Sequence, residues 1–147
     1  MAYKTRYIPQ NSSKYIGDPT KIICRSLWER KVCKWMDTNQ NVIRWGSEEL
    51  AIPYISPKDN KKHNYYPDFI AEVKNNQGKI ETLMIEVKPK KQTEKPKQGK
   101  RKTKSYLQES ITFEINKSKW NAAEKFCENR GWRFVILTEE HLFPKRN

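Results

Sequence analysis

The sequence predicts a single α/β domain, a β-sheet with helices packed against it. Three observations carry this: strand-like runs of aromatic and β-branched residues mid-chain, helical periodicity on either side, and a length of 147 residues. That length can bury one hydrophobic core and seldom two. Five Trp, seven Tyr and five Phe supply much of the core.

Residues 1–19 are polar, dotted with aromatics and rich in turn formers. They read as an extended N-terminal arm that drapes over the domain, with docking to a partner as the alternative. The domain itself is placed at residues 20–147. Ser26-Leu27-Trp28-Glu29 has the form of a capping box, in which the serine bonds the amide three residues on and the glutamate reaches back. The helix it opens is expected to run to about Asp37, turning Leu27, Val32, Trp35 and Met36 to the core. Strands are expected at 42–45, 50–54, 65–73 and 79–88, the last two joined as a hairpin through Lys74-Asn75-Asn76-Gln77-Gly78. Farther on, Tyr106, Ile111, Phe113 and Ile115 mark one helical stretch, and Ser118 is placed to cap a second. That second helix passes through Trp120, Ala123, Phe126 and Cys127 and ends at Gly131. A buried strand over 132–137 and a short helix or turn from Thr138 complete the chain.

The chemistry lies in the hairpin. Strand alternation puts Leu83, Ile85 and Val87 on one side and Met84, Glu86 and Lys88 on the other. On the partner strand Tyr66, Asp68, Ile70 and Glu72 share a face, and a paired register can bring Asp68 beside Glu86. Hard cations such as Mg²⁺ favour carboxylate oxygens and keep some of their waters, so an Asp/Glu pair on one face makes an incomplete coordination shell that phosphate and water complete. A metal there can polarise a phosphoryl oxygen, while the Lys88 ammonium positions water or offsets developing charge. Glu29, on the preceding helix, can reach the same cluster. The bland alternatives are a solvated Glu-x-Lys face on an ordinary hairpin and a glutamate that only caps its helix.

Charge points the same way. Thirty Lys and Arg stand against 17 Asp and Glu, a net charge of +13, and the pI is near 9.7. Attraction to phosphate is expected from that excess. Residues 88–104 hold nine basic residues and one acid, Glu94, leaving +5 elsewhere. Pro89, Pro96 and Gly99 and the near absence of apolar residues make 89–104 a basic flexible loop next to Lys88. It is either a solvated loop or a clamp on the DNA backbone, the latter using Lys90, Lys91, Lys100, Arg101, Lys102 and Lys104. Backbone contacts carry little sequence information, so weak sequence preference is expected. Cys24, Cys33 and Cys127 lack paired spacing and read as reduced core thiols. His63 and His141 lack metal-ligand spacing, and no run of about 20 apolar residues points to a membrane.

In order and spacing, Glu29, Pro67-Asp68 and Glu86-Val87-Lys88 resemble the PD-(D/E)xK nuclease superfamily. Ile52-Pro53-Tyr54, Tyr66-Pro67-Asp68-Phe69, Glu86-Val87-Lys88-Pro89, Lys117-Ser118-Lys119-Trp120 and Gly131-Trp132-Arg133-Phe134 resemble more narrowly the TnsA-like endonuclease domain. The similarity covers roughly residues 21–142. The short chain, Tyr7-Ile8-Pro9-Gln10-Asn11 and the run from Lys14 to Pro19 are similar to the branch of that family that completes the heads of T-even-like tailed bacteriophages. The resemblance implies a restriction-endonuclease-like mixed β-sheet flanked by helices. It implies Asp68, Glu86 and the Val87 carbonyl as Mg²⁺ ligands, with Mn²⁺ as a substitute, Lys88 serving the attacking water, and Glu29 completing the acidic cluster. Lys117 and Lys119 would lie near DNA. It also implies DNA and the phage portal, neck or other head-completion proteins as partners, and residence in the host cytoplasm during assembly and in the virion head or neck. The competing reading is a non-catalytic basic DNA-binding assembly factor at the portal vertex.

Overall fold

The computed structural model describes residues 4–99 and 103–144. Its centre is a four-stranded mixed sheet of β3 (Val42–Ser47), β6 (Phe69–Lys74), β7 (Ile80–Val87) and β8 (Arg133–Leu137), in the spatial order β3-β6-β7-β8. The first two pairings are antiparallel, whereas β8 runs parallel to β7. A parallel neighbour requires a crossover, and the helix α2 (Lys104–Arg130) provides it. Two short ladders flank the sheet: β1 (Thr5–Arg6) with β2 (Ile23–Cys24), and β4 (Ile52–Ile55) with β5 (Lys62–Tyr65).

Both faces of the sheet are covered. On one, Ile85, Phe69, Ala71 and Trp45 pack against Val32, Cys33 and Met36 of α1 (Leu27–Thr38). On the other, Met84 packs against Trp120, Ala123 and Cys127 of α2 and against Ile52 and Tyr65 of the β4–β5 ladder. This is the doubly covered arrangement in which strands are buried on both sides.

Residues near the N-terminus belong to the first of these layers. Tyr7 and Tyr15 are buried, and Tyr15 meets Trp45 edge-on with ring centroids 4.8 Å apart. The fully buried carboxylate of Asp37 fixes this segment. It accepts hydrogen bonds from the Tyr7 hydroxyl at 2.8 Å and from the backbone amides of Gln10 and Asn11 at 2.7 and 2.9 Å. A buried charge survives only when it is satisfied in this way.

The structure departs from the sequence expectations at four places. The expected strand over 65–73 is two strands, Tyr65 ending β5 and Phe69 opening β6, because Pro67 has no amide proton to give a ladder. The two expected helices are one: no Gly or Pro interrupts residues 104–130, and Ser118 sits inside α2. Gly131, in the left-handed conformation with φ 69°, ends it as expected. Leu27 and Trp35, expected in the core, are 67% and 43% exposed, whereas Val32, Cys33 and Met36 of the same helix are buried as expected. Finally, residues 90–93 of the basic segment form a 3₁₀ turn.

Removing the Asp37 carboxylate strands three buried or part-buried donors. Asp37→Ala is expected to destabilise the fold by about 3 kcal/mol in urea denaturation, from the cost of leaving such groups unpaired, and to raise the susceptibility of the N-terminal segment to proteolysis.

Candidate active site

Asp68 stands at the entry to β6, and Glu86 and Lys88 stand at the exit of β7. The antiparallel register that pairs Phe69 with Ile85 continues outward to set Asp68 opposite Glu86, and directly opposed residues project to one side. Asp68 Oδ2 accepts a hydrogen bond from the Val87 amide at 2.8 Å. Glu86 Oε2 accepts one from the Tyr65 hydroxyl at 2.7 Å. Lys88 Nζ lies 3.8 Å from Glu86 Oε1, and its own amide donates to the Leu137 carbonyl at 2.9 Å, tying the lysine to β8.

Glu86 is only 6% exposed. An ordinary solvated Glu-x-Lys face is therefore ruled out: Met84, on the same side, is packed under α2. A carboxylate in this position is held against its preference for water.

Glu29 approaches from the first turn of α1. Ser26 Oγ accepts from the Glu29 amide at 3.0 Å, and the Glu29 carboxylate accepts from the Arg25 amide and the Ser26 hydroxyl, both at 3.4 Å. The capping role is thus present. It does not exhaust the residue, because burial pushes the Glu29 carboxyl above its ordinary value, the Glu48 charge adding to the effect while the Arg25 amide and Ser26 oppose it.

The strongest electrostatic signature is at Asp68. Burial first, then repulsion from Glu86 and to a lesser degree from Glu29, push its carboxyl up to about 8, against the opposing Val87 amide and Lys88 ammonium. Displaced titration of a buried group beside a charged partner is a feature of catalytic sites, where such groups are arranged to shift one another. Tyr65 responds to the same surroundings: burial, and then the charge of Glu86, push its hydroxyl up.

Three members of this neighbourhood escape a reading of the sequence. Tyr65 is one of two adjacent tyrosines with no chemical signal in the sequence, yet its hydroxyl bonds Glu86. Glu48 adopts a left-handed backbone with φ 54°, and its amide donates to the Asp68 carbonyl at 3.1 Å. The third is Arg25, whose Nε and Nη2 donate to the Glu48 carboxylate at 2.9 and 3.3 Å. A non-glycine residue held in the left-handed region marks a constrained turn, and nothing in the local sequence announces it.

The basic residues are spread more widely. Lys90 donates through its amide to Glu139 and through Nζ to Glu140, each at 2.8 Å. Lys91 is exposed and lines a cleft of about 780 Å³ between residues 91–97 and the first half of α2. Lys104 opens that helix, and Lys117 is exposed farther along it. Lys119 is half-buried, its ammonium 5.8 Å from the Tyr65 ring and 5.9 Å from that of Tyr54. Lys100, Arg101 and Lys102 lie outside the described residues. Cys24, Cys33 and Cys127 are free and buried.

As donors for a cation, the chain offers Asp68 and Glu86 with one oxygen each not engaged by Val87 or Tyr65, and the main chain at Val87. Among the described residues no group of three or more His, Cys, Asp or Glu forms a metal centre by itself. Two carboxylates with substrate phosphate fit a hard divalent ion such as Mg²⁺, which seldom uses an all-protein cage.

A mixed sheet flanked by helices, with an acidic pair and a lysine where β6 and β7 meet, is the architecture of a restriction-endonuclease-like fold. Residues 39–139 match the family described as TnsA-like endonuclease N terminal, and the chain belongs to that family. It is also similar to the head completion nuclease of Enterobacteria phage T4, at 41% identity over 146 residues that cover 97% of this chain and 95% of that one. Asp68, Glu86 and Lys88 fall within the matched family region, and Glu29 lies before it.

Because the folded Asp68 carboxyl titrates near 8 and an unfolded one near 3.9, the protonated form favours the fold. Its contribution is complete below about pH 4 and is lost as pH rises through 8. In EDTA, Asp68→Asn is expected to become progressively more stable than wild type between pH 5 and about 8, measured by urea denaturation. A constant difference across that interval would contradict the shifted titration.

Proposed function

We propose that this protein is a metal-dependent DNA endonuclease that hydrolyses phosphodiester bonds, with Mg²⁺ as its ion and Mn²⁺ as a substitute, and that it processes packaged DNA ends during phage head completion. Membership of an endonuclease family and similarity to a head completion nuclease support an enzyme that acts on DNA in that setting. The observation that carries the chemistry is the β6–β7 register, which extended by one residue beyond Phe69 and Ile85 opposes Asp68 to Glu86, with Lys88 3.8 Å from the Glu86 carboxylate. Docking to portal, neck or other head-completion proteins, assembly in the host cytoplasm and retention in the virion head or neck belong to the same proposal.

Each residue then has a chemical task. Asp68 and Glu86 would hold the ion, with Tyr65 and the Val87 amide fixing the orientation of the two carboxylates and the Val87 carbonyl as a further ligand. When bound, such an ion stabilises charge on the phosphoryl group and eases deprotonation of the attacking water. Lys88 would orient that water and offset the developing negative charge. Glu29 would add to the acidic field that attracts the cation. The lysines of residues 90–104, with Lys117 and Lys119, would hold the DNA backbone.

A role as a non-catalytic assembly factor fits the geometry less well. Crowding two carboxyl groups into a buried site opposes folding whenever both ionise, and a fold kept for its shape would shed that penalty with amides in their place.

With linear DNA and Mg²⁺, Glu86→Gln, Asp68→Asn and Lys88→Ala are each expected to reduce cleavage by about 10³-fold or more, the loss of several kcal/mol of transition-state stabilisation. DNA binding in EDTA should persist. Cleavage at wild-type rates by Glu86→Gln would reject this site. Replacing Lys90, Lys91, Lys95 and Lys97 by Gln should instead weaken binding and flatten the plot of log K against log salt by about 0.9 for each duplex phosphate that is no longer neutralised.

A further inference from the structure

Beside the acidic pair lies an open groove of about 450 Å³ between the start of α1 and the exit of β7. Leu27, Trp28 and Pro89 give it apolar walls, and Glu29, Lys88 and Gln92 also line it. Leu27 is 67% exposed, although Val32, Cys33 and Met36 of the same helix are buried. A lone exposed leucine is unremarkable. This one adjoins an indole and a proline in a concavity that shares Glu29 and Lys88 with the candidate active site. The indole is braced, since Phe143 meets Trp28 edge-on at 6.1 Å and the Lys31 ammonium sits 4.0 Å from the Phe143 centroid.

Duplex DNA presents phosphates and sugars to a protein surface and hides the flat apolar faces of its bases in the stack. An apolar wall is therefore wasted on a continuous duplex. It matches a base that has left the stack, which aromatic and apolar side chains hold with little regard to sequence. Because Lys88 lines the same groove, a base seated there is only a short step along the strand from the phosphate at the carboxylates. The Gln92 side-chain amide, on the exposed rim, can donate to or accept from a base edge.

We propose that this groove receives an unpaired nucleobase adjoining the scissile phosphate, so that the protein favours overhangs, frayed ends or flaps over intact duplex. The inference rests on the nuclease reading and names the substrate class for that site. Leu27 and Trp28 are specificity-determining residues in it, with no part in the chemical step.

The test measures binding in EDTA by fluorescence anisotropy for three labelled DNAs: a blunt duplex, the same duplex with a short single-stranded overhang, and that overhang made abasic. The overhang is expected to bind about 5-fold or more tightly than its abasic counterpart, the low end of the range for stacking a single base. Leu27→Ser and Trp28→Ala are expected to erase that difference while leaving affinity for the blunt duplex unchanged. Because Leu27 is exposed, its substitution is read without concern for folding. Equal binding of normal and abasic overhangs would overturn the proposal, as would a base preference that survives both substitutions. Base-dependent binding without any cleavage in Mg²⁺ would overturn the nuclease reading and spare the groove. Cleavage indifferent to the base would do the reverse.

Discussion

The antiparallel register of β6 and β7 is the constraint on which the site depends. Pairing Phe69 with Ile85 leaves Asp68 and Glu86 opposed at the end of the hairpin, and a shift of one residue would turn them to opposite faces. The register is held by burial. Phe69 and Ala71 belong to the α1 layer together with Ile85, while Met84 belongs to the α2 layer, so a slipped hairpin would expose one set and bury charge in its place.

That constraint explains why the site is both costly and well ordered. Glu86 is buried, the Tyr65 hydroxyl satisfying one of its oxygens, and Asp68 is held by the Val87 amide. Burial first, and then their mutual repulsion, raise the Asp68 titration. A divalent cation and the ammonium of Lys88 are the groups that relieve such repulsion. Preorganised charge of this kind, offset by the stability of the rest of the fold, is how enzymes place electrostatic stabilisation ahead of the reaction.

Much of this was legible in the sequence because strand periodicity is short-ranged. The shared side of Glu86 and Lys88, the hairpin turn ending at Gly78, and the Ser26 cap each follow from residues a few positions apart. What escaped was set by distant partners. Nothing near Tyr65 tells that its hydroxyl finds Glu86, 21 positions away. Nothing near Asp37 tells that it anchors Tyr7, Gln10 and Asn11. The left-handed backbone of Glu48 goes with a bond from its amide to the Asp68 carbonyl, 20 positions away. Leu27 misled for a related reason: helical periodicity assigns a face, but the groove beside Pro89 leaves that position uncovered. Ser118 misled because a serine that can cap a helix can also lie within one when no glycine or proline breaks the chain.

The most direct measurement is a Mn²⁺ titration followed by electron paramagnetic resonance, without DNA, for wild type, Asp68→Asn and Glu86→Gln. One shared ion site requires that either substitution weaken Mn²⁺ binding to a similar extent, with the wild-type affinity rising as pH approaches 8 and Asp68 gives up its proton. Wild-type affinity retained by Glu86→Gln, or by Asp68→Asn, would show that the two carboxylates do not hold a common ion.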